Sequence, residues 1–289
     1  MAYSASVHPR RFVHVGGVRT AYVDVGAGEP VVALHGIPTS SELFDPLLPA
    51  LGGFRVIAPD LLGQGETAVP SRGRLGHAEY AAHLAAFLDV VAPATFHLVV
   101  HDFGGVLGLE WAAAHPERLR TLVVLSTTAS FTLRWAVLVK LRRMKNLLGG
   151  APTIRKRILD IPKQPDAIDA ALAGRWARPW TRRRALRGRD HYARRHLRRV
   201  KRGLARIHAP ALVLWGDRDE IFPRRYAKRI RKRLSNAELS VVEGGGHWLP
   251  LDAPRMAGEA IAEFIRRAGT GPSSSGERLA RRFRPPTSS

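Results

Sequence analysis

The sequence predicts an α/β protein in which a mostly parallel sheet is covered by helices on both faces. Short, continuous runs of Val and Leu alternate with stretches of helical period, a pattern typical of strands that are buried on both sides. The alternation follows a hairpin signal at Gly16-Gly17, and it stops between about residues 128 and 208. The length of 289 residues therefore suits one large domain with an insertion.

The predicted strands begin with an antiparallel hairpin and continue as the parallel part of the sheet. Arg11–Val15 and Thr20–Val25 flank the two glycines, which favour a tight turn. The other predicted strands are Val31–Leu34, Arg55–Ala58, His97–Val100, Leu122–Leu125, Ala211–Leu214 and Leu239–Val242. Helical period predicts helices at Ser40–Leu51, His77–Val91, Gly104–His115, Arg224–Leu234 and Pro254–Arg267.

The predicted domain organisation follows from where this alternation stops and resumes. Residues 11–128 and 208–268 form the sheet domain, and residues 129–207 form an Arg-rich helical cap inserted into it. The basic tail, residues 270–289, is rich in Gly, Ser, Pro and Arg, a composition typical of disorder.

Two segments together account for the whole formal net charge of +22. Residues 134–206 contain 23 Lys and Arg against four Asp and Glu, and residues 271–289 contain four Arg against one Glu. The rest of the chain contains 19 of each sign. Within residues 181–206 the only Phe, Tyr or Trp is Tyr192, so the arginines lack the stacking residues typical of nucleic-acid binding. We expect no nucleic-acid partner.

The basic insert has three remaining interpretations. A solvated helical cap is the favoured one. A second is that Trp135–Leu148, interrupted by cations, lies as a basic amphipathic helix on a membrane surface. A third is that one cap arginine recognises an anionic substrate such as a haloacid.

Composition also excludes several classes of protein. With no Cys there are no disulfides and no thiolate metal sites. The N-terminal residues contain no apolar run typical of a signal peptide, and no stretch is long and apolar enough to predict a spanning helix. We therefore expect a cytoplasmic protein. We also expect it to be a monomer or a homodimer.

The most informative motif follows the predicted strand around His97–Val100. Asp102 stands at the turn between this strand and a helix, and Gly104 and Gly105 follow it. A side chain on such a turn is exposed at the carboxyl edge of the sheet, and small residues behind it let the strand and helix backbones pass closely. A serine on this turn is a nucleophile elbow, and here the residue is a carboxylate.

Two later motifs supply partners for Asp102 in a catalytic triad. Asp217 and Asp219 follow the predicted strand Ala211–Leu214, and His247 follows the next strand and a run of three glycines. An order of nucleophile, acid and histidine along the chain is the order expected for an elbow of this kind.

A fourth motif, His35-Gly36-Ile37-Pro38, ends the predicted strand Val31–Leu34. In proteins with a nucleophile elbow of this kind, the loop at this position provides one backbone N–H of an oxyanion hole, and the residue after the nucleophile provides the other. The predicted donors are therefore the N–H groups of Ile37 and Phe103.

These motifs resemble the aspartate-nucleophile branch of the α/β-hydrolases, the haloalkane dehalogenases and epoxide hydrolases. The resemblance covers about residues 11–128 and 208–267, and the insert corresponds by position only. It is carried by HGIPTSS at 35–41, PDLLGQGET at 59–67, VVHDFGG at 99–105, WGDRDEIFP at 215–223 and GGGHWLPLDAP at 244–254. The WGxxD pattern in these families makes the second carboxylate the triad acid, which implies Asp219 rather than Asp217.

The resemblance implies an α/β-hydrolase fold and a hydrolase that needs neither cofactor nor metal. Asp102 would attack an alkyl carbon of a small apolar substrate and form a covalent ester, and His247, oriented by Asp219, would activate water to cleave it. The favoured activity is haloalkane dehalogenation, and epoxide hydrolysis is the alternative. An alternative of another class is a membrane- or partner-binding protein that has lost catalysis.

The chain departs from both families at the leaving group. Dehalogenases usually have Trp after the nucleophile and many have Asn after His-Gly, whereas this chain has Phe103 and Ile37. Epoxide hydrolases use two cap tyrosines, and this insert has one. The candidates for leaving-group or substrate contact are Trp176, Trp180 and Tyr192.

Overall fold

A single sheet of nine strands organises the computed structural model, which describes residues 8–70, 75–129, 152–164, 167–181, 194–269 and 282–283. The strands are β1 (Arg11–Val15), β2 (Val18–Val25), β3 (Glu29–Leu34), β4 (Phe54–Pro59), β5 (Phe96–His101), β6 (Leu119–Leu125), β7 (Ala211–Gly216), β8 (Ala237–Val242) and β9 (Arg282–Phe283). Their order is β1-β2-β4-β3-β5-β6-β7-β8-β9. β1 pairs antiparallel with β2 and β2 with β4, and all other pairs are parallel.

The described helices are α1 (His77–Val91), α2 (Asp102–Ala114), α3 (152–159), α4 (Ala170–Ala177), α5 (Arg194–Gly203), α6 (Arg225–Arg231), α7 (Leu249–Asp252) and α8 (Pro254–Gly269). Short 3-10 segments occur at Ser41–Leu47, Pro116–Arg118, Arg178–Thr181 and Leu204–Arg206. Among the described residues there is no helix with both the length and the apolar character that crossing a membrane requires.

The predicted hairpin is confirmed at its turn. Gly16 and Gly17 have φ angles of 53° and 76°, and Val15 pairs with Val18. Positive φ at both central residues is favourable for glycine and matches the twist of the two strands. The sheet therefore starts antiparallel and becomes parallel, as the sequence predicts.

Both faces of the sheet are buried, which explains why its strands are continuous apolar runs. In β3, Val32 and Leu34 join one apolar cluster, while Val31 and Ala33 join the other. Successive side chains of a strand point to opposite faces. Helices α1, α2, α5 and α6 contribute to the first cluster and α3, α4 and α8 to the second. The predicted fold class is confirmed.

Two local predictions differ from the structure. The predicted helix Ser40–Leu51 is a 3-10 helix over Ser41–Leu47 followed by turns, and Pro46 lies inside it. Proline has no N–H to donate to a helical hydrogen bond, so the segment does not continue as an α-helix. In the predicted disordered tail, Arg282–Phe283 form β9 and pair with Val241 and Val242 of β8.

The described helices of the insert lie against different parts of the molecule. Ile154 and Ile158 of α3 and Leu172 of α4 pack in the second apolar cluster, whereas Leu197 and Val200 of α5 pack in the first. Residues 130–151 and 182–193 lie outside the described residues, and the first of these ranges contains the Trp135–Leu148 segment. It therefore remains a prediction that residues 129–207 form one cap.

Positive charge is also concentrated on α6, although the positive and negative charges outside the insert and the tail are equal in number. Residues 224–233 contain seven Lys or Arg and no acidic residue, and the cations at 225, 228, 229, 231 and 232 are exposed. Helix α5 is also cationic, with six Lys or Arg in ten residues, and it packs in the same apolar cluster as α6.

Candidate active site

Asp102 lies on a strained turn between β5 and α2. Its φ angle is 49°, a left-handed conformation that is uncommon for residues other than glycine. The Asp102 N–H donates to the Ser126 carbonyl at 3.2 Å, and the Thr127 hydroxyl donates to the Asp102 carbonyl at 2.5 Å. These two bonds tie the turn to the end of β6. Strain of this kind persists where surrounding structure holds it, and it occurs preferentially at functional sites.

Glycines around the turn make room for the Asp102 side chain and for the helix. A Cβ atom at Gly36 would overlap the Asp102 carboxylate, and one at Gly104 would overlap the His35 carbonyl. At Gly105 it would overlap the Thr127 side chain. The close approach at the strand-to-helix turn that the sequence predicts is therefore present, and β3 also takes part in it. It requires glycine, because any larger side chain would overlap its neighbours.

The structure brings the three predicted triad residues together at the carboxyl edge of the sheet. His247 Nε2 lies 3.6 Å from Asp102 Oδ2, and His247 Nδ1 lies 3.3 Å from Asp219 Oδ2. All three residues are at least 95% buried. His247 thus lies between two carboxylates, with one of its ring nitrogens toward each.

The two candidate acids have different partners. Asp219 Oδ1 accepts the N–H groups of Ile221 and Phe222 at 2.9 and 2.8 Å, which leaves Oδ2 toward His247. Asp217 instead accepts the Gly244 N–H at 2.7 Å. The geometry therefore favours Asp219 as the partner of the histidine, as the resemblance implies.

The buried charges of the site alter two pKa values. Burial disfavours the charged form of Asp102, but contact with His247 and its charge outweigh this effect and hold the pKa of Asp102 below its usual value. Burial likewise disfavours protonated His247, yet the Asp219 charge and the contacts with Asp102 raise the pKa of His247 to about 9. At neutral pH the site therefore contains an ionised Asp102 beside an imidazolium.

This pKa predicts how stability depends on pH. Because the folded-state pKa of His247 lies above its ordinary value of 6.5, its ionic contacts stabilise the protein fully below about pH 6.5, and this contribution is lost as the pH rises through about 9. The shift corresponds to a few kcal/mol at most. We expect the urea-unfolding free energy to decrease over this window relative to that of His247→Gln. If the unfolding free energies of the two proteins changed with pH in the same way, the raised pKa of His247 would be wrong.

Of the predicted oxyanion donors, Ile37 already binds the Asp102 side chain. Its N–H donates to Asp102 Oδ1 at 2.9 Å. Phe103 is the second residue of α2, where backbone N–H groups point toward the carboxyl edge of the sheet. The Phe103 ring packs edge-to-face against Tyr80 at 5.2 Å and is fully buried. The backbone of Phe103 can serve the site, while its side chain belongs to the core.

The candidates for leaving-group contact differ in position. The Trp176 N–H donates to Ser40 Oγ at 2.9 Å and to Glu42 Oε2 at 3.2 Å, so it is engaged away from Asp102. Trp180 is buried in the second apolar cluster. Tyr192 lies outside the described residues.

Sequence reasoning missed a buried indole donor on the residue that follows His247 in the chain. Trp248 follows His247, is fully buried and packs edge-to-face on Trp176 at 5.3 Å. Its N–H has no hydrogen-bond partner among the described residues. The signal in the sequence was that Trp248 directly follows His247. A side chain at that position belongs to the loop that carries His247 to the site.

Two further polar residues hold the His247 loop. His101 Nε2 donates to the His247 carbonyl at 2.9 Å, and burial lowers the pKa of His101 to about 4, so its ring is neutral. Asp252 accepts the Gly246 N–H at 3.0 Å and the Lys163 N–H at 2.5 Å. Asp252 therefore links the histidine loop to the insert, a contact between residues too distant in sequence for any spacing to reveal.

The Asp252 contacts give a testable prediction. Asparagine at this position would place an amide NH₂ against one of the two backbone N–H groups, leaving a buried donor unpaired at a cost of about 1–3 kcal/mol of unfolding free energy. We expect kcat to fall with stability, because Gly246 precedes His247. The matched control is Asp160→Asn, which removes an exposed ion pair with Lys156 and should cost no more than about 0.5 kcal/mol. Equal losses in both variants, measured by urea unfolding, would refute a role for Asp252 in the loop.

Comparisons with known proteins agree with this architecture. Residues 29–254 match a family model described as alpha/beta hydrolase fold. A haloalkane dehalogenase from Sphingobium indicum is 28% identical over 89% of this chain and 95% of its own length. A 2-hydroxy-6-oxo-2,4-heptadienoate hydrolase from Pseudomonas putida is also 28% identical, over 88% of this chain and 95% of its length.

A crystal structure of a membrane phospholipase A, a bacterial virulence factor, superposes with a TM-score of 0.77. It covers 91% of this chain and 87% of its own, at 21% sequence identity. A likeness at this identity shows a shared fold. The similar proteins thus differ in the substrates that their names give, and the residues of the site must distinguish among them.

Proposed function

The chain belongs to the α/β-hydrolase fold family, and we propose that it is a cofactor-independent hydrolase that cleaves a carbon–halogen bond through a covalent alkyl ester on Asp102. The observation that carries the proposal is a buried carboxylate on the elbow turn, 3.6 Å from a histidine that also contacts a second carboxylate. The dehalogenase from Sphingobium indicum supports the same reaction.

The type of nucleophile selects the type of carbon. A carboxylate that attacks an acyl carbon forms a mixed anhydride, which is at least as reactive as the substrate. A carboxylate that attacks an alkyl carbon forms an ordinary ester, which is a stable intermediate that water can cleave in a second step. Asp102 therefore favours halides over the carbonyl substrates that a serine nucleophile would suit. Epoxides offer the same alkyl carbon and remain the alternative.

The first step displaces the leaving group. One Asp102 oxygen forms a bond to the alkyl carbon as the carbon–halogen bond breaks, and the halide leaves with the bonding electron pair. The new ester is neutral, so one of the two negative charges that raise the pKa of His247 is lost. The imidazolium then gives its proton to solvent, and His247 becomes the neutral base that the second step needs.

The second step restores the enzyme. His247 removes a proton from water, and the water oxygen attacks the carbonyl carbon of the ester. The N–H groups of Ile37 and Phe103 stabilise the oxyanion. Collapse of the tetrahedral intermediate expels the alcohol, which takes the proton from His247 and leaves Asp102 as a carboxylic acid. The Asp102 proton then passes to His247, which restores the carboxylate and the imidazolium. In sum, alkyl halide and water give alcohol, halide and a proton.

Trp248 is our candidate donor to the departing halide. Dehalogenase-like chains usually place an indole after the nucleophile, and this chain has Phe103 there. The buried N–H of Trp248, which has no hydrogen-bond partner among the described residues, supplies the same chemical group from the neighbouring loop.

Oxygen-18 labelling tests the covalent step. With enzyme in excess over a primary bromoalkane in oxygen-18 water, we expect the first-turnover alcohol to contain ordinary oxygen, because that atom comes from Asp102. Alcohol from many turnovers should contain oxygen-18. Label in the first-turnover alcohol would instead mean direct attack by water. Absence of turnover across bromoalkanes, haloacids and epoxides would overturn the proposal.

A further inference from the structure

A second cluster of chemistry-bearing side chains lies apart from the triad, where three helices meet. His77 is at the start of α1, Glu110 is in α2 and His196 is in α5. Each side chain offers one ligand atom, and the three atoms lie within 4.8 Å of one another. Both histidines are buried, and the Glu110 side chain is 14% exposed. Two imidazoles and a carboxylate thus converge at a largely closed position.

The contacts within this cluster define which atoms face each other. His77 Nε2 lies 2.5 Å from Glu110 Oε2, and the His77 and His196 rings stack at 3.7 Å between centroids. Two arginines approach from α5. Arg199 donates to Glu110 Oε1 at 2.9 Å, and Arg195 donates to His196 Nε2 at 3.2 Å.

The donor atoms of the cluster suit a cation. Both carboxylate oxygens of Glu110 are directed into the cluster, since Oε1 accepts from Arg199 and Oε2 lies against His77 Nε2. A nitrogen that accepts a hydrogen bond from an arginine has its lone pair in that direction, and the contact from Arg195 therefore indicates an available lone pair on His196.

We propose that His77, His196 and Glu110 form a binding site for a divalent transition-metal ion, with Zn²⁺ as the best match. Two imidazole nitrogens and one carboxylate oxygen are a donor set that Zn²⁺ binds in tetrahedral geometry, with water as a fourth ligand. Binding requires one stacked ring to turn, so that both lone pairs meet on one ion, and it displaces Arg195. Arg199 can stay on the second carboxylate oxygen and orient it.

The position of the site implies a structural role. Helix α5 is the last helix of the insert, while α1 and α2 belong to the sheet domain, so one ion would join the insert to the domain. The His77 ring also packs edge-to-face on Phe103 at 6.1 Å, directly after Asp102. A metal ion here would therefore support the nucleophile turn from behind without contacting substrate.

Metal titration tests this inference on the full-length protein. After treatment with a chelator, we expect calorimetry to show one Zn²⁺ bound per chain and the thermal midpoint to rise with Zn²⁺. Bound Co²⁺ should give the visible absorption of a tetrahedral site. His196→Asn should lose this binding, and Glu110→Gln provides a second test if the first variant fails to fold.

The matched control is His115→Asn, because His115 also stacks on an aromatic ring, that of Trp111, but has no place in the cluster. It should bind Zn²⁺ as the wild type does. Two outcomes would overturn the proposal: no saturable binding by the wild type, or equal binding by wild type and both cluster variants, which would place the ion on surface histidines.

Discussion

Replacing Asp102 by alanine is expected to reduce kcat/KM by about 10⁴-fold or more, because the substitution removes the atom that forms the covalent bond. Folding should be preserved, since the Asp102 backbone keeps its bonds with the Ser126 carbonyl and the Thr127 hydroxyl. Steady-state halide release from a bromoalkane measures the effect. Circular dichroism measures whether the variant is folded.

The matched control for this variant is Asp89→Ala. Asp89 is an exposed residue of α1 that pairs with Arg118, and its removal should leave kcat/KM within about twofold of the wild type. If Asp102→Ala keeps more than a tenth of the wild-type activity while folded, another group is the nucleophile. The proposed ester mechanism would then be wrong.

The sheet could be predicted from the sequence because both of its faces are buried. Burial on two sides requires continuous apolar strands, so β3, β5 and β7 were visible as runs of Val and Leu. The 3-10 segment at Ser41–Leu47 was misassigned because its apolar spacing is helical although Pro46 prevents a regular helix. β9 has two residues, too few for any periodicity.

The triad could be predicted for a related reason. Parallel strands place their carboxyl ends at one edge of the sheet, so the loops after β5, β7 and β8 meet there whatever segments connect the strands. The direction in which a side chain points cannot be predicted in this way. The Trp176 N–H faces Ser40 and Glu42, at the start of the 3-10 segment after β3, rather than Asp102.

The second cluster shows the limit of spacing arguments most clearly. His77 and Glu110 are 33 positions apart, and His196 comes 86 residues later, near the end of the insert. Metal motifs visible in a sequence depend on two ligands within one turn of helix or loop. Here each ligand comes from a different helix, so packing alone brings them together.

Replacing His247 by glutamine is expected to stop the reaction at the ester. Asp102 keeps its nucleophilic oxygen, but glutamine accepts no proton from water, so the alkyl enzyme should accumulate to about one adduct per chain. Intact mass measures the added alkyl group, and peptide mapping should place it on Asp102. The control is the double variant Asp102→Ala, His247→Gln, which should show no adduct. An equal adduct in the double variant would mean alkylation elsewhere.

The rate of trapping should itself depend on pH in a direction that the charges of the site dictate. Without the imidazolium, Asp102 and Asp219 are two buried carboxylates with no cation between them, so the pKa of Asp102 should rise. Alkylation requires ionised Asp102, and adduct formation in His247→Gln should therefore be slow at low pH and accelerate as the pH rises. A trapping rate that does not change with pH would mean that the contacts with His247 are not what keeps Asp102 ionised, and that the Ile37 N–H at 2.9 Å is sufficient.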